Sequence, residues 1–195
     1  MRSAVLSKHS VHYVAMNSEP GFSVRMICDV GEGKGIQRVT VTRNGQTGPA
    51  TVIVFHKIVF IKGNAFTMRV FFGFSPKQAN RFGGRWIFVS NTHPSYEAFA
   101  DGATYTTFTA GLFPATQLSL VHAGSLIGVR GTAQQGPGTV VETVFAPAQG
   151  QPLPVKQTTR FPGHPGTDRS KMSRWNEAVH VTVPAKALPI EVVTG

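Results

Sequence analysis

The hydrophobic positions of this chain change their spacing twice within one stretch, Ile58 to Val89. Ile58, Val59, Phe60 and Ile61 form a β-branched and aromatic run that stops at Gly63, and Asn64 stands where a helix N-cap is needed. Phe66, Val70 and Phe74 then fall at i, i+4 and i+8, with Met68, Phe71 and Phe72 beside them, so the apolar arc of this helix is wider than one flat packing face requires. Ser75-Pro76 restarts the chain as cap plus first-turn proline. The spacing predicts a second, shorter helix over residues 77–82, ended by Gly83-Gly84. Trp86 and Phe88 belong to a returning strand.

On either side of this insertion the pattern alternates with period two. Strands are predicted at 10–16, 22–30 and 36–43, then, after the hairpin signal Asn44-Gly45, at 51–55 and 58–61. Residues 1–8 read as a flexible lead-in. Beyond residue 89, the Tyr96, Phe99, Ala103 spacing and the segment 105–112 are read as helical, although the Thr-rich TYTTFT suits a strand equally. From Leu118 strands return, at 126–132, 140–145, 153–159, 171–175 and 179–183, with turns at QQGPG, APAQGQP and FPGHPGTD. An antiparallel sheet of about ten strands must curl, and a curled sheet needs its concave face filled. The expected fold class is α+β: a curved antiparallel half-barrel with a central helical insertion packed in its concave face, as one domain over 1–195. Such packing ends either in a dry core or in an apolar cavity able to take acyl chains.

Composition agrees with many short strands: 21 Gly and 13 Pro in 195 residues, with only 14% charged. The formal net charge of +10 suits nucleic acid, an anionic lipid surface or simply a solvated face. From Trp86 to Val129 there is no Lys or Arg, yet Tyr96, Phe99, Tyr105, Phe108 and Phe113 lie there. A nucleic-acid surface interleaves basic residues with its aromatics, so no nucleic-acid partner is expected. Cys28 is the single cysteine, which excludes an intramolecular disulfide and a thiolate metal cluster.

Catalytic signatures are missing. There is no G-x-S-x-G, P-loop, H-E-x-x-H or C-x-x-C, the seven histidines are dispersed, and GEGKG around Lys34 reads as a hairpin turn rather than a phosphate loop. No enzyme, metal or cofactor is expected. Glu97 and Asp101, four apart on a helix, read as surface.

The succession FIKGNAFTMRVFFGFSPKQANRFGGRWIFVS resembles the actinobacterial LolA-like lipoproteins of the LppX/LprG type. Further matches are residues 94–99, VRGT at 129–132, VFAPAQGQPLPVK at 144–156, and Trp175 followed by VHVTVP. The resemblance spans most of 9–190. It implies a hydrophobic cavity between half-barrel and helices, a location in the cell envelope outside the cytoplasmic membrane, tethering by a lipidated cysteine, and non-enzymatic binding or carriage of lipids or acylated glycolipids. This sequence shows neither signal peptide nor lipobox, and Cys28 lies too far in to be the anchor. The cavity lining is expected from Phe66, Val70, Phe71, Phe74, Trp86, Phe88, Phe99, Phe108, Leu112 and Phe113. Gating of the mouth is expected from loops such as residues 90–95 or from the Gly-rich turns. Lys57, Lys62, Arg69, Lys77, Arg81 and Arg85 are candidates for anionic head groups or a membrane surface. The alternatives are an envelope structural or signalling protein with the same fold and no cargo, and a basic nucleic-acid binder.

Overall fold

A computed structural model describes residues 1–135 and 138–194, so the centre of the turn expected at QQGPG, Gly136-Pro137, lies outside the described residues. Along the chain come α1 (Arg2–Leu6), β1 (Ser10–Glu19), β2 (Phe22–Gly31), β3 (Lys34–Arg43), β4 (Gln46–Phe55), β5 (Ile58–Gly63), α2 (Ala65–Val70), α3 (Pro76–Phe82), β6 (Trp86–Ser90), α4 (Tyr96–Ala100) and α5 (Tyr105–Ala110). After these come β7 (Thr116–Ala123), β8 (Leu126–Gln135), β9 (Gly138–Pro147), β10 (Lys156–Arg160), β11 (Thr167–Ser173), β12 (Ala187–Pro189) and α6 (Glu191–Thr194). The strands form one curved, open sheet in the order β12-β6-β5-β4-β3-β2-β1-β11-β10-β9-β8-β7. Among the described residues every pairing is antiparallel except β12 with β6. This is the α+β half-barrel that the alternation predicts.

Local chemistry fixes the turns and caps. Asn44 (φ 50°) and Gly45 (φ 81°) both take left-handed backbone, the geometry of a two-residue hairpin that matches strand twist. The Asn64 side chain accepts from the Thr67 N–H, and Ser75 forms a capping box with Gln78 behind Pro76 at the first helical position.

Alternation assigns the two faces of the sheet. Val52, Val54, Val59, Ile61, Ile87 and Val89 are buried against Phe66, Met68, Phe72 and Phe74, so these strand positions point to the concave, helix-covered face. A second apolar cluster lies on the same face farther along the sheet. It joins Val11, Tyr13 and Cys28 of β1 and β2 to Tyr105, Phe108 and Leu112, with Val144 and Met172 from β9 and β11. Burial pushes the Cys28 thiol up to about 12, so this cysteine packs as a small apolar group.

Four expectations need correction. Residues 1–8 are not a loose lead-in: α1 buries Val5 completely in the second cluster, and the Tyr105 hydroxyl donates to the Val5 carbonyl at 2.6 Å. The first central helix ends at Val70, with Phe71 as C-cap and Gly73 at φ 78°, so Phe74 reaches the core from a loop. Residues 179–183 form no strand. Instead the chain leaves β1, where the Asn176 N–H donates to the Ser10 carbonyl, and returns as β12 beside β6 at the sheet's other side of β2–β5. Val179 sits over Gly31, on the convex side. Finally, β10 and β11 are displaced from the ranges expected at 153–159 and 171–175.

Candidate functional site

Two chambers lie between the concave face and the helices. The first, about 300 Å³, is lined by Met26 and Val52 from the sheet and by Phe71, Phe72, Ala98 and Phe99 from the helical side, with Gln37 at its floor. It is mostly hydrocarbon. The second, about 230 Å³, is lined by Ala15 and Met26, by Thr107 and Phe108 of α5, and by a polar set that includes Asn17, Glu142, Gln157, Thr159 and Asp168. Tyr13, Met26, Asp101 and Gly102 border both chambers.

The partition between them is the link from α4 to α5, and it is tied to the sheet. The Tyr13 hydroxyl donates to the Gly102 carbonyl at 2.8 Å, and Gln37 Nε2 donates to the Asp101 carbonyl at 3.0 Å. Gly102 has φ 63°, and a side chain there would meet the Tyr13 hydroxyl, so glycine allows the link to lie against the phenol. Burial raises the Tyr13 phenol well above its ordinary range, which keeps it a neutral donor. Its ring stacks on Phe108 with centroids 4.7 Å apart.

The polar side of the second chamber is a row set by register. Glu142 opposes Thr159, Thr159 opposes Asp168, and Asp168 opposes Asn17. All four share the parity of Val144, Met172 and Tyr13, so they face the helices. Asn17 Nδ2 donates to Asp168 Oδ1 at 2.6 Å. Glu142 is 8% exposed, and burial raises its carboxyl. Asp168 is also raised, chiefly by burial, against the lowering effect of its bond from Asn17.

A stability consequence follows for Glu142. Its carboxyl holds its proton more tightly folded than unfolded, so its favourable contribution is complete below the unfolded value and is lost as pH rises through the folded one. Glu142→Gln is therefore expected to melt higher than the parent at neutral pH, with the gap closing toward about pH 4. Thermal melts across that range check this, and a gap independent of pH contradicts it.

Of the ten residues expected to line a cavity, the structure places Phe71 and Phe99 at the first chamber and Phe108 at the second. Phe66 and Phe74 are buried in the first apolar cluster with Val70 half-buried against it, while Leu112 and the half-buried Phe113 belong to the second. Trp86 and Phe88 are on the other face. Their neighbours Ile87 and Val89 point to the helices, whereas Phe88 lies beside Phe60 and the Lys62 ammonium sits 5.6 Å from the Trp86 ring centre. Lys62 thus stands on the face away from the helices. Residues 90–95 border neither chamber. Tyr13, Met26, Gln37 and the Asn17–Glu142 row were not singled out by the sequence, because only long-range register brings them together.

Among the described residues no three His, Cys, Asp or Glu side chains group to hold a metal, and no helix is long and apolar enough to cross a membrane. No family model and no curated protein sequence matches the chain. Among solved structures it is similar to the lipoprotein LppX of Mycobacterium tuberculosis, with a TM-score of 0.51 and 17% identity over 92% of this chain and 93% of that one. The likeness shows a shared LolA-like half-barrel fold.

Proposed function

We propose that this protein binds and carries lipids or acylated glycolipids, without covalent chemistry, at the cell envelope outside the cytoplasmic membrane. The observation that carries the reading is the first chamber. It is an aromatic-lined space of about 300 Å³ between sheet and helices, where the alternative of a dry core would leave no room. Burying about ten methylenes at about 0.8 kcal/mol each contributes roughly 8 kcal/mol before the cost of association. Titration with a fatty acid carrying a fluorophore tests it. Saturable binding at one site, displaced by unlabelled lipid, is expected. Absence of binding favours the same fold used without cargo.

A carrier also needs a way to approach its membrane, and the convex face supplies one. By register, Arg130 is in line with Thr143, Thr158 and Arg169, while Lys156 opposes Lys171. Together with Arg160 these cations stand opposite in parity to Glu142 and Asp168, facing outward. A groove of about 240 Å³ lined by Arg130, Phe145 and Arg160 runs through this surface. Near an anionic bilayer each such residue contributes about 1 kcal/mol. Reversing Arg160 and Lys171 to Glu is expected to weaken binding to phosphatidylglycerol vesicles at least tenfold or so at low salt. Unchanged co-sedimentation removes this part of the reading.

A further inference from the structure

The second chamber contains a mismatch between its acceptors and its donors. Glu142 Oε2 and Asn17 Oδ1 are buried and have no hydrogen-bond partner among the described residues. Glu142 is more than nine-tenths buried and borders the cavity. Leaving a buried polar atom unpaired is costly, and two of them on one row of the sheet form a surface that calls for a ligand's hydrogen-bonding groups. Arg169 borders the same cavity but does not supply them: it lies between Asp168 and Ser170 in β11, so alternation turns its side chain to the convex side, where it is exposed. Gln157, the neighbouring amide, spends its Nε2 on the Gly111 carbonyl at 3.2 Å.

We propose that this row is the recognition site for an uncharged head group bearing several hydroxyls, its acyl chain lying in the first chamber. The inference rests on the lipid-binding reading above and gives that ligand a polarity and an orientation. Three features fix the chemistry. Asn17 Oδ1 requires a ligand donor, and a neutral Glu142 carboxyl both donates and accepts, which a hydroxyl matches. Burial pushes Glu142 and Asp168 toward their neutral forms, and with no cationic side chain turned toward the row nothing there offsets the desolvation of a phosphate or carboxylate head group. From β9 to β1 is three strand spacings, roughly 14 Å at the backbone, which one hydroxyl does not span. Met26 borders both chambers and takes no part in the bonds that tie the link to the sheet, so an amphiphile passing over it has its apolar part against Phe71, Phe72 and Phe99 and its head against the row.

Two amphiphiles with the same dodecyl chain separate the head from the tail: dodecyl maltoside, rich in hydroxyl donors, and a dodecyl poly(ethylene glycol) methyl ether, which only accepts. Calorimetry below the micelle concentration is expected to show the maltoside binding at least tenfold or so more tightly. In Glu142→Leu, and independently in Asn17→Leu, that preference should shrink while affinity for the methyl ether holds. Equal affinity of the two amphiphiles for the parent protein overturns the head-group assignment and leaves lipid binding intact. A preference that survives both substitutions places the recognition elsewhere and overturns it as well. If neither amphiphile binds and the fluorescent fatty acid also fails, the lipid reading falls and this inference falls with it.

Discussion

Gly35→Ala is expected to lower stability by about 3 kcal/mol, the upper part of what overpacking costs. For a chain of this size that corresponds to a melting temperature lower by roughly 10 °C. A Cβ added at Gly35 would lie 2.1 Å from the Ala103 carbonyl oxygen and 3.1 Å from the Asp29 carbonyl. Both obstacles are backbone, so no side-chain rotation relieves them. Ala103 is completely buried, and it lies in the link from α4 to α5 that separates the two chambers. Lifting that link strains the bonds from Tyr13 to Gly102 and from Gln37 to Asp101. The same substitution should therefore loosen the partition as well as the fold. Thermal denaturation followed by circular dichroism measures the first effect. A melting temperature within about 2 °C of the parent would mean that the link does not press on β3.

Met26→Trp is the second large effect, and it acts on binding rather than stability. Met26 is half-buried, packs against both apolar clusters and borders both chambers. A larger ring there enters empty volume instead of a packed core. Excluding three methylenes of an acyl chain costs about 2.4 kcal/mol, roughly a fifty-fold loss of affinity. The fold should tolerate it, because the added ring contacts Phe72 and Phe99 across space that is otherwise unfilled. Affinity for the fluorescent fatty acid, read beside a thermal melt, separates the two. Parent-like affinity in a folded Met26→Trp protein would show that the acyl chain goes elsewhere.

What the sequence made legible was local. Strand alternation, the Asn44-Gly45 hairpin, the Asn64 cap and the Ser75-Pro76 restart each depend on a few adjacent residues, and each is found. The antiparallel half-barrel followed from them, since hairpins of such strands have few other ways to bury one face. The parity of β6 was not legible. Trp86 and Phe88 are as apolar as Ile87 and Val89, and nothing within the strand says which pair faces the helices. A signal existed one strand away, where Lys62 shares the parity of Phe60 and stands beside Trp86, marking that side as the one reaching water. The short α1 was missed because five residues give too little periodicity to read, yet Val5 finds a slot beneath Tyr105.

The site was half legible for the same reason. Phe71, Phe99 and Phe108 stood out as aromatics in the helical insertion, and they border the chambers. The polar row did not. Asn17, Glu142, Thr159 and Asp168 come from four strands separated by up to 151 residues, and their alignment is a property of register, which no local pattern encodes. Isolated carboxylates in strands read as solvent-facing. Only the closure of β1 against β11 turns Asp168 and Asn17 inward together.

The central claim is that the space between sheet and helices takes an acyl chain, and native mass spectrometry of freshly purified protein, followed by organic extraction and lipid analysis, tests it most directly. The expected result is adducts that disappear on extraction, are identified as acyl lipids, and are diminished in the Met26→Trp protein. A mass equal to that of the bare chain, unchanged after incubation with phospholipid and glycolipid, would contradict it.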